Sequence, residues 1–218
     1  MTQATPQPLQ QITNEIIQRF ETMGAARDQA VTQGRQVVRL AANAVRAMHR
    51  ESFDQATSLL GEASALLGDI RHTTAPFPAV YWAGYVQDAM KEYAEAELMK
   101  AMLRSEPLPD PLALQVEDGA YLNGLAEAAS ELRRDTLDAL RANQIERALT
   151  LMEGMDRVYA ALVTIDFPDA VTGGLRRSTD QLRAVLERTR ADVTVAVRQN
   201  RLEQALQAVE GRWTGESG

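Results

Sequence analysis

The stretch Tyr81–Leu103, YWAGYVQDAMKEYAEAELMKAML, decides the fold. It has no proline, a single glycine, and many Ala, Met, Leu, Glu and Lys residues, the types that lose least freedom in a helix. At 3.6 residues per turn, Asp88, Glu92 and Glu95 fall on one stripe; Trp82, Val86, Ala89 and Tyr93 fall on another, about a third of a turn away. The spacing predicts a long helix with an apolar side and a carboxylate side.

Working outward, a second helical stretch follows at Gly119–Ala142, GAYLNGLAEAASELRRDTLDALRA. Leu122, Leu125, Ala129, Leu132 and Leu140 mark its apolar face, and Glu127 and Glu131 lie on the other side at i, i+4. Like charges at that spacing repel by a few tenths of a kcal/mol. Two acidic stripes on two helices invite a divalent cation between them.

The remaining segments carry the same periodicity. Residues 1–8, polar with two prolines, read as a flexible tail, 9–211 as one helical domain, and 212–218 as a second tail. Leu9 to about Arg50 reads as one very long helix, bent at Gly24 or Gly34. Ser52 is placed to cap a helix over Phe53–Arg71, closed by the turn HTTAPFP. After the central stretch, SEPLPDPLAL is a proline-rich connector in which Asp110-Pro111 reads as a cap and first-turn proline. Asn143-Gln144 is a turn before a helix over Ile145–Ile165; DFPDAVTGG breaks it; Leu175 to about Asn200 and a separate short helix, Leu202–Val209, complete an all-α bundle of roughly seven helices.

Composition agrees. The 218 residues are 45% hydrophobic and only 5% aromatic, with no β-type alternation, which suits one helical domain with a real core. There is no cysteine, so disulfides, thiolate catalysis and zinc-finger sites are excluded, as fits an intracellular, cytoplasmic protein. MTQATPQPLQQ has neither the basic start nor the apolar run of a signal peptide, and no run of about eighteen apolar residues suggests a membrane span. A net charge of −7 argues against a generally sticky nucleic-acid binder, so affinity for phosphate must come from a local patch.

Three segments carry a family resemblance. FPDAVTGGLRRSTDQLRAVLERTRADVTVA (Phe167–Ala196) closely resembles the C-terminal signature of the translin family in archaea and bacteria. VQDAMKEYAEAE (Val86–Glu97) is similar to the EYVEA region of the translin-associated factor X branch, and YLNGLAEAASELRR (Tyr121–Arg134) to that branch's second acidic helix. The resemblance spans nearly the whole chain. It implies a bundle of the translin type that assembles into a closed, hollow homo-oligomer, an octamer, binding single-stranded RNA or DNA. In the carboxylate-bearing branch it implies a Mg²⁺- or Mn²⁺-dependent endoribonuclease. Glu92 and Glu95 stand at the two EYVEA positions and Glu131 at the distal position of the second helix. Where that branch usually has Asp, this chain has Glu127, which keeps the charge and lengthens the reach by a methylene.

Hard cations take oxygen ligands and keep several waters, so a few carboxylates on two rigid helices suffice to hold one. Glu92, Glu95 and Glu127 are the metal-ligand candidates; Glu131 is a further ligand or the base that orients water. The plain alternative is that acidic residues simply fill wet helix faces. His49 and His72 sit at no i+3 or i+4 spacing from these carboxylates, which disfavours a Glu-x-x-His di-iron site. Arg35, Arg39, Arg46 and Arg50, in file on the first helix near Thr32 and Asn43, are either a phosphate track or an ordinary solvated face; the family resemblance favours the track. Arg176, Asp180, Arg183, Glu187 and Arg190 read as an ion-pair ladder. Trp82, Tyr85 and Tyr93 could stack on bases, though core or interface suits Trp82 and Tyr93 better.

Two other readings stand beside the nuclease. One is a catalytically silent translin-like binder of single strands. The other is an all-α nucleoside triphosphate pyrophosphohydrolase, whose second acidic pair, however, is spaced Glu-x-x-Asp, one residue closer than Glu127 and Glu131.

Overall fold

A computed structural model describes residues 8–215, those from 211 on by backbone alone. The described residues form α1 (Leu9–Met48), α2 (Phe53–Thr74), α3 (Pro78–Tyr81), α4 (Gly84–Leu103), α5 (Pro111–Leu114), α6 (Asp118–Arg141), α7 (Ile145–Leu162), α8 (Asp169–Thr172) and α9 (Leu175–Gly215), with no strand among them. The six long helices are the ones the periodicity marks; α3, α5 and α8 are single turns inside the connectors. Of the expected tails, residues 1–7 and 216–218 fall outside the described residues, while 212–215 continue helix α9.

The helices pack in a chain of neighbours: α2 on α1, α1 on α4, α4 on α6, and α6 on both α7 and α9. Helix α4 is the middle of the stack. Val86, Ala89, Met90, Tyr93, Ala94, Ala96, Leu98, Met99, Ala101 and Leu103 are all buried, which leaves only a narrow strip of α4 to water. Small residues make this density possible. Gly34 of α1 faces the Tyr85 carbonyl, which a Cβ there would approach to 3.2 Å. Alanines at 0% exposure, among them Ala44, Ala89, Ala94, Ala126 and Ala128, continue these close crossings. Met90, Leu98, Met99, Leu132, Met155 and Leu182 fill the space between layers, each full burial stabilising by about 1.5–3 kcal/mol.

Several expectations are corrected. The central helix starts at Gly84 rather than Tyr81: residues 78–81 make the separate turn α3, and Ala83 takes an extended conformation as the N-cap of α4. Trp82 thus leaves the α4 stripe and is 59% exposed, while Tyr93 is in the core as expected. Ser52 occupies the N-cap position of α2, but its side chain makes no capping bond. Asp110 does cap α5, accepting from the Ala113 amide at 2.6 Å, with Pro111 at the first position. No break separates a helix at Leu202. Asn200 is only a weak helix former, and with neither Gly nor Pro nearby the chain continues as α9 through Gly215. Helix α1 runs through Gly24 and Gly34 without interruption. Of the expected ladder on α9, Arg183 and Glu187 pair at 3.1 Å, but Arg190 reaches across to Asp156 of α7. Among the described residues, no helix is long and apolar enough to cross a membrane.

Candidate metal centre

The close approach of α4 and α6 builds the site. Gly124 lies on α6 where a Cβ would come within 2.8 Å of the Lys91 carbonyl oxygen and 2.9 Å of the Glu95 amide nitrogen. Only glycine permits that contact, and it brings the exposed strip of α4 against the acidic side of α6. One oxygen each from Glu92, Glu95 and Glu127 then lies within 4.8 Å of the others. A Mg²⁺ ion held at about 2.1 Å from each oxygen spans at most about 4.2 Å between opposite ligands. Adjacent ligands of such an ion lie only about 3.0 Å apart, so the carboxylates would close by rotation about their side-chain bonds to hold it.

The electrostatics follow from the crowding. Burial, then the charges of Glu92, Glu127 and Glu131, push the Glu95 carboxyl up to about 8, with Lys91 opposing. Lys91 is the local counter-charge. Its Nζ donates to both oxygens of Glu127, at 2.9 and 2.7 Å, and lies 3.3 Å from Glu92 Oε1. An all-oxygen donor set whose three carboxyls outnumber the one cation beside them suits a hard divalent cation.

Two of the three ligand candidates, Glu95 and Glu127, border a cleft of about 460 Å³, which they line with Glu131 and Ser130 on one side and Ser178, Gln181 and Arg188 of α9 line on the other. The start of α9 is fixed by Asn123, buried on α6. Its amide donates to the carbonyls of Gly119 and Thr172 at 2.8 and 2.7 Å, and its oxygen accepts from Ser178 at 2.7 Å. Glu131 is 46% exposed on the cleft wall, apart from the three-carboxylate group, with Oε2 3.7 Å from His49 Nε2. The His49 ring is buried, and its Nδ1 lies 3.2 Å from Asp135 Oδ2. Burial raises the Asp135 carboxyl and the imidazole opposes that rise.

The structure therefore brings Glu92, Glu95 and Glu127 together, with Glu131 beside them. Arg35, Arg39 and Arg46 stay on the exposed side of α1, outside the cleft, with Arg46 bonded to Asn43 at 2.5 Å, whereas Arg50, expected in the same helical file, lies exposed in the turn after α1 ends at Met48. Sequence reasoning missed Lys91, Arg188 and His49. Lys91 carries a signal, a lone cation one residue from Glu92 and four from Glu95; the approach of His49 to α6 across more than eighty residues carries none.

No family model matches the chain. An uncharacterized protein of Methanocaldococcus jannaschii is 25% identical over 199 residues, 90% of this chain and 88% of that protein. Among solved structures, apo-NeC3PO superposes with a TM-score of 0.75 at 20% identity, across 88% of this chain and all of that one, which speaks to the fold. AfC3PO, solved alone and in a complex with duplex RNA, superposes with a TM-score of 0.79 at 30% identity; in the complex the match covers 84% of this chain and 95% of that one. Identity at that level over nearly the full relative goes beyond shared topology. The chain belongs to the translin family. The seven-helix expectation thus holds for the translin bundle in kind, with six long helices and three single turns among the described residues.

Proposed function

We propose that this translin-family protein binds RNA and cleaves single-stranded RNA as a metal-dependent endoribonuclease. The observation that carries the reading is the three-carboxylate cluster of Glu92, Glu95 and Glu127, of which Glu95 and Glu127 line the cleft beneath α9. RNA as the ligand class is supported by the duplex RNA in the AfC3PO complex.

In this reading Glu92, Glu95 and Glu127 hold Mg²⁺ or Mn²⁺. When bound, that cation supplies Lewis-acid polarisation of the scissile phosphate and lowers the pKa of a coordinated water. Glu131, exposed on the cleft wall, accepts the proton of the attacking water, and His49 orients its carboxylate from behind. Arg188 in the cleft, the file Arg35, Arg39 and Arg46 on α1 and Arg50 in the turn after it take backbone phosphates, supplying the local positive charge that an acidic chain needs. In this reading the assembly is a hollow homo-oligomer, an octamer.

The test is cleavage of a labelled single-stranded RNA with Mg²⁺ and with chelator, by the wild type and by Glu95→Ala, with native mass spectrometry recording subunit number. The expected result is Mg²⁺-dependent cutting that the substitution abolishes while the oligomer persists. RNA binding without cutting would assign the protein to the silent binders. Release of pyrophosphate from a nucleoside triphosphate with RNA left whole would replace RNA by the nucleotide as substrate.

A further inference from the structure

Lys91 lies where a metal-binding cluster has least use for a cation. Its stem rises from α4 between Asp88, Glu92 and Glu95, and its side chain is 22% exposed. Both oxygens of Glu127 accept from it, at 2.9 and 2.7 Å, so the carboxylate that α6 contributes is fully engaged, and Glu92 is drawn in at 3.3 Å. Two of the three ligand candidates thus already share a positive charge. The backbone beneath Lys91 is pinned, because its carbonyl lies against Gly124 of α6. The side chain is not: a lysine has four rotatable carbons and a compact point charge, so it moves without disturbing the crossing.

Resting on the metal-dependent reading above, we propose that Lys91 is a tethered counter-cation that occupies the carboxylates of the metal-free protein and sets the divalent concentration at which the site loads. Loading requires Lys91 to yield Glu127. Once released, the ammonium remains within a few ångströms of the cleft, where the nearest anion it can serve is a backbone phosphate of the bound strand. Phosphate that holds Lys91 away from Glu127 leaves the carboxylates free, so RNA binding and metal loading favour one another, and by linkage they do so equally. The site then loads fully only when substrate is present.

Titration of Mn²⁺ into the full-length oligomer, followed by calorimetry and by the loss of the free-ion paramagnetic signal, tests this without reference to activity. A 2′-O-methyl oligonucleotide serves as the strand that resists cutting. Lys91→Met, which keeps the stem and removes the charge, is expected to bind Mn²⁺ about tenfold more tightly than wild type, a free-energy change set by one lost competitor at a partly enclosed site. Lys91→Arg, which keeps the charge, is expected to bind no more tightly than wild type. The oligonucleotide should tighten Mn²⁺ binding in the wild type and leave Lys91→Met unchanged. In chelator the Met variant should melt below wild type, and added Mn²⁺ should raise its melting temperature by more. Equal or weaker Mn²⁺ affinity in a folded Lys91→Met would overturn the inference and make Lys91 a structural ion pair, with the metal reading intact. Absence of Mn²⁺ binding to wild type and to both variants would sink the metal reading itself, and this inference with it.

Discussion

Replacing Gly124 by alanine tests whether the helix crossing is what assembles the carboxylates. The added Cβ would sit 2.8 Å from the Lys91 carbonyl oxygen and 2.9 Å from the Glu95 amide nitrogen, against the 3.4 Å at which ordinary contact begins. Both neighbours are backbone atoms of a helix buried on most of its sides, so neither can rotate away. Helices α4 and α6 must part by about half an ångström, at the overpacking cost of about 1–3 kcal/mol. Alanine's better helix propensity returns up to about 1 kcal/mol. The expected net loss is about 1–2 kcal/mol, and in a chain of this length a thermal midpoint lower by roughly 3–6 °C. Gly154→Ala on α7 is the matched control, because a Cβ there would meet only Leu132 Cδ1 at 3.9 Å. With the propensity gain unopposed, that variant should melt about 2 °C higher. Circular dichroism melts in chelator read both. Gly124→Ala as stable as wild type or more so would refute the reasoning; a drop equal in both variants would blame glycine removal rather than the crossing.

Three further outcomes follow from the same geometry. In chelator, a Glu95 carboxyl raised to about 8 from 4.5 keeps a proton that the unfolded chain has lost across that window, so stability is greatest below it and falls as pH rises through it. The slope is at most about 1.4 kcal/mol per pH unit, and about half that once solvent is allowed for; Glu95→Gln should flatten it in urea unfolding at several pH values. Asn123→Ala removes two bonds to backbone carbonyls and one from Ser178 at a buried position; urea unfolding should show a loss of about 2–4 kcal/mol. Substituting Arg39 and Arg46 together by alanine should weaken RNA binding for every sequence alike, and should reduce the log–log salt slope by about 0.7 per arginine, read by fluorescence anisotropy.

Much of this was legible in the sequence because helical period is a local signal. Glu92 and Glu95 on one face, and Glu127 on the free side of another helix, could be placed from spacing alone, and the structure brings those three together. Trp82 was misplaced because helical phase was carried through Ala83, where the backbone turns extended and the register resets. The supposed break before Leu202 fell at Asn200, an asparagine with no glycine or proline beside it to enforce a turn. What spacing cannot carry is tertiary reach. His49 meets Glu131 and Asp135 only because α1 crosses α4 beside α6. Arg188 enters the cleft because α9 is tied to α6 at its start by Asn123 and beside Arg188 by the bonds of Arg133 to Thr189 and Asp192. The role of Gly124 was likewise invisible, since a glycine inside a helix pattern shows its cost and not the backbone that approaches it.

The claim beneath the whole account is that side chains from two helices jointly ligate one divalent ion. Crystals soaked in Mn²⁺ and measured at a wavelength where manganese scatters anomalously would locate it directly. The account requires one strong peak per subunit at about 2.0–2.2 Å from oxygens of Glu92, Glu95 and Glu127, with the Lys91 ammonium withdrawn from Glu127. No peak there, or one bound by residues of α4 alone with Lys91 still on Glu127, would contradict it.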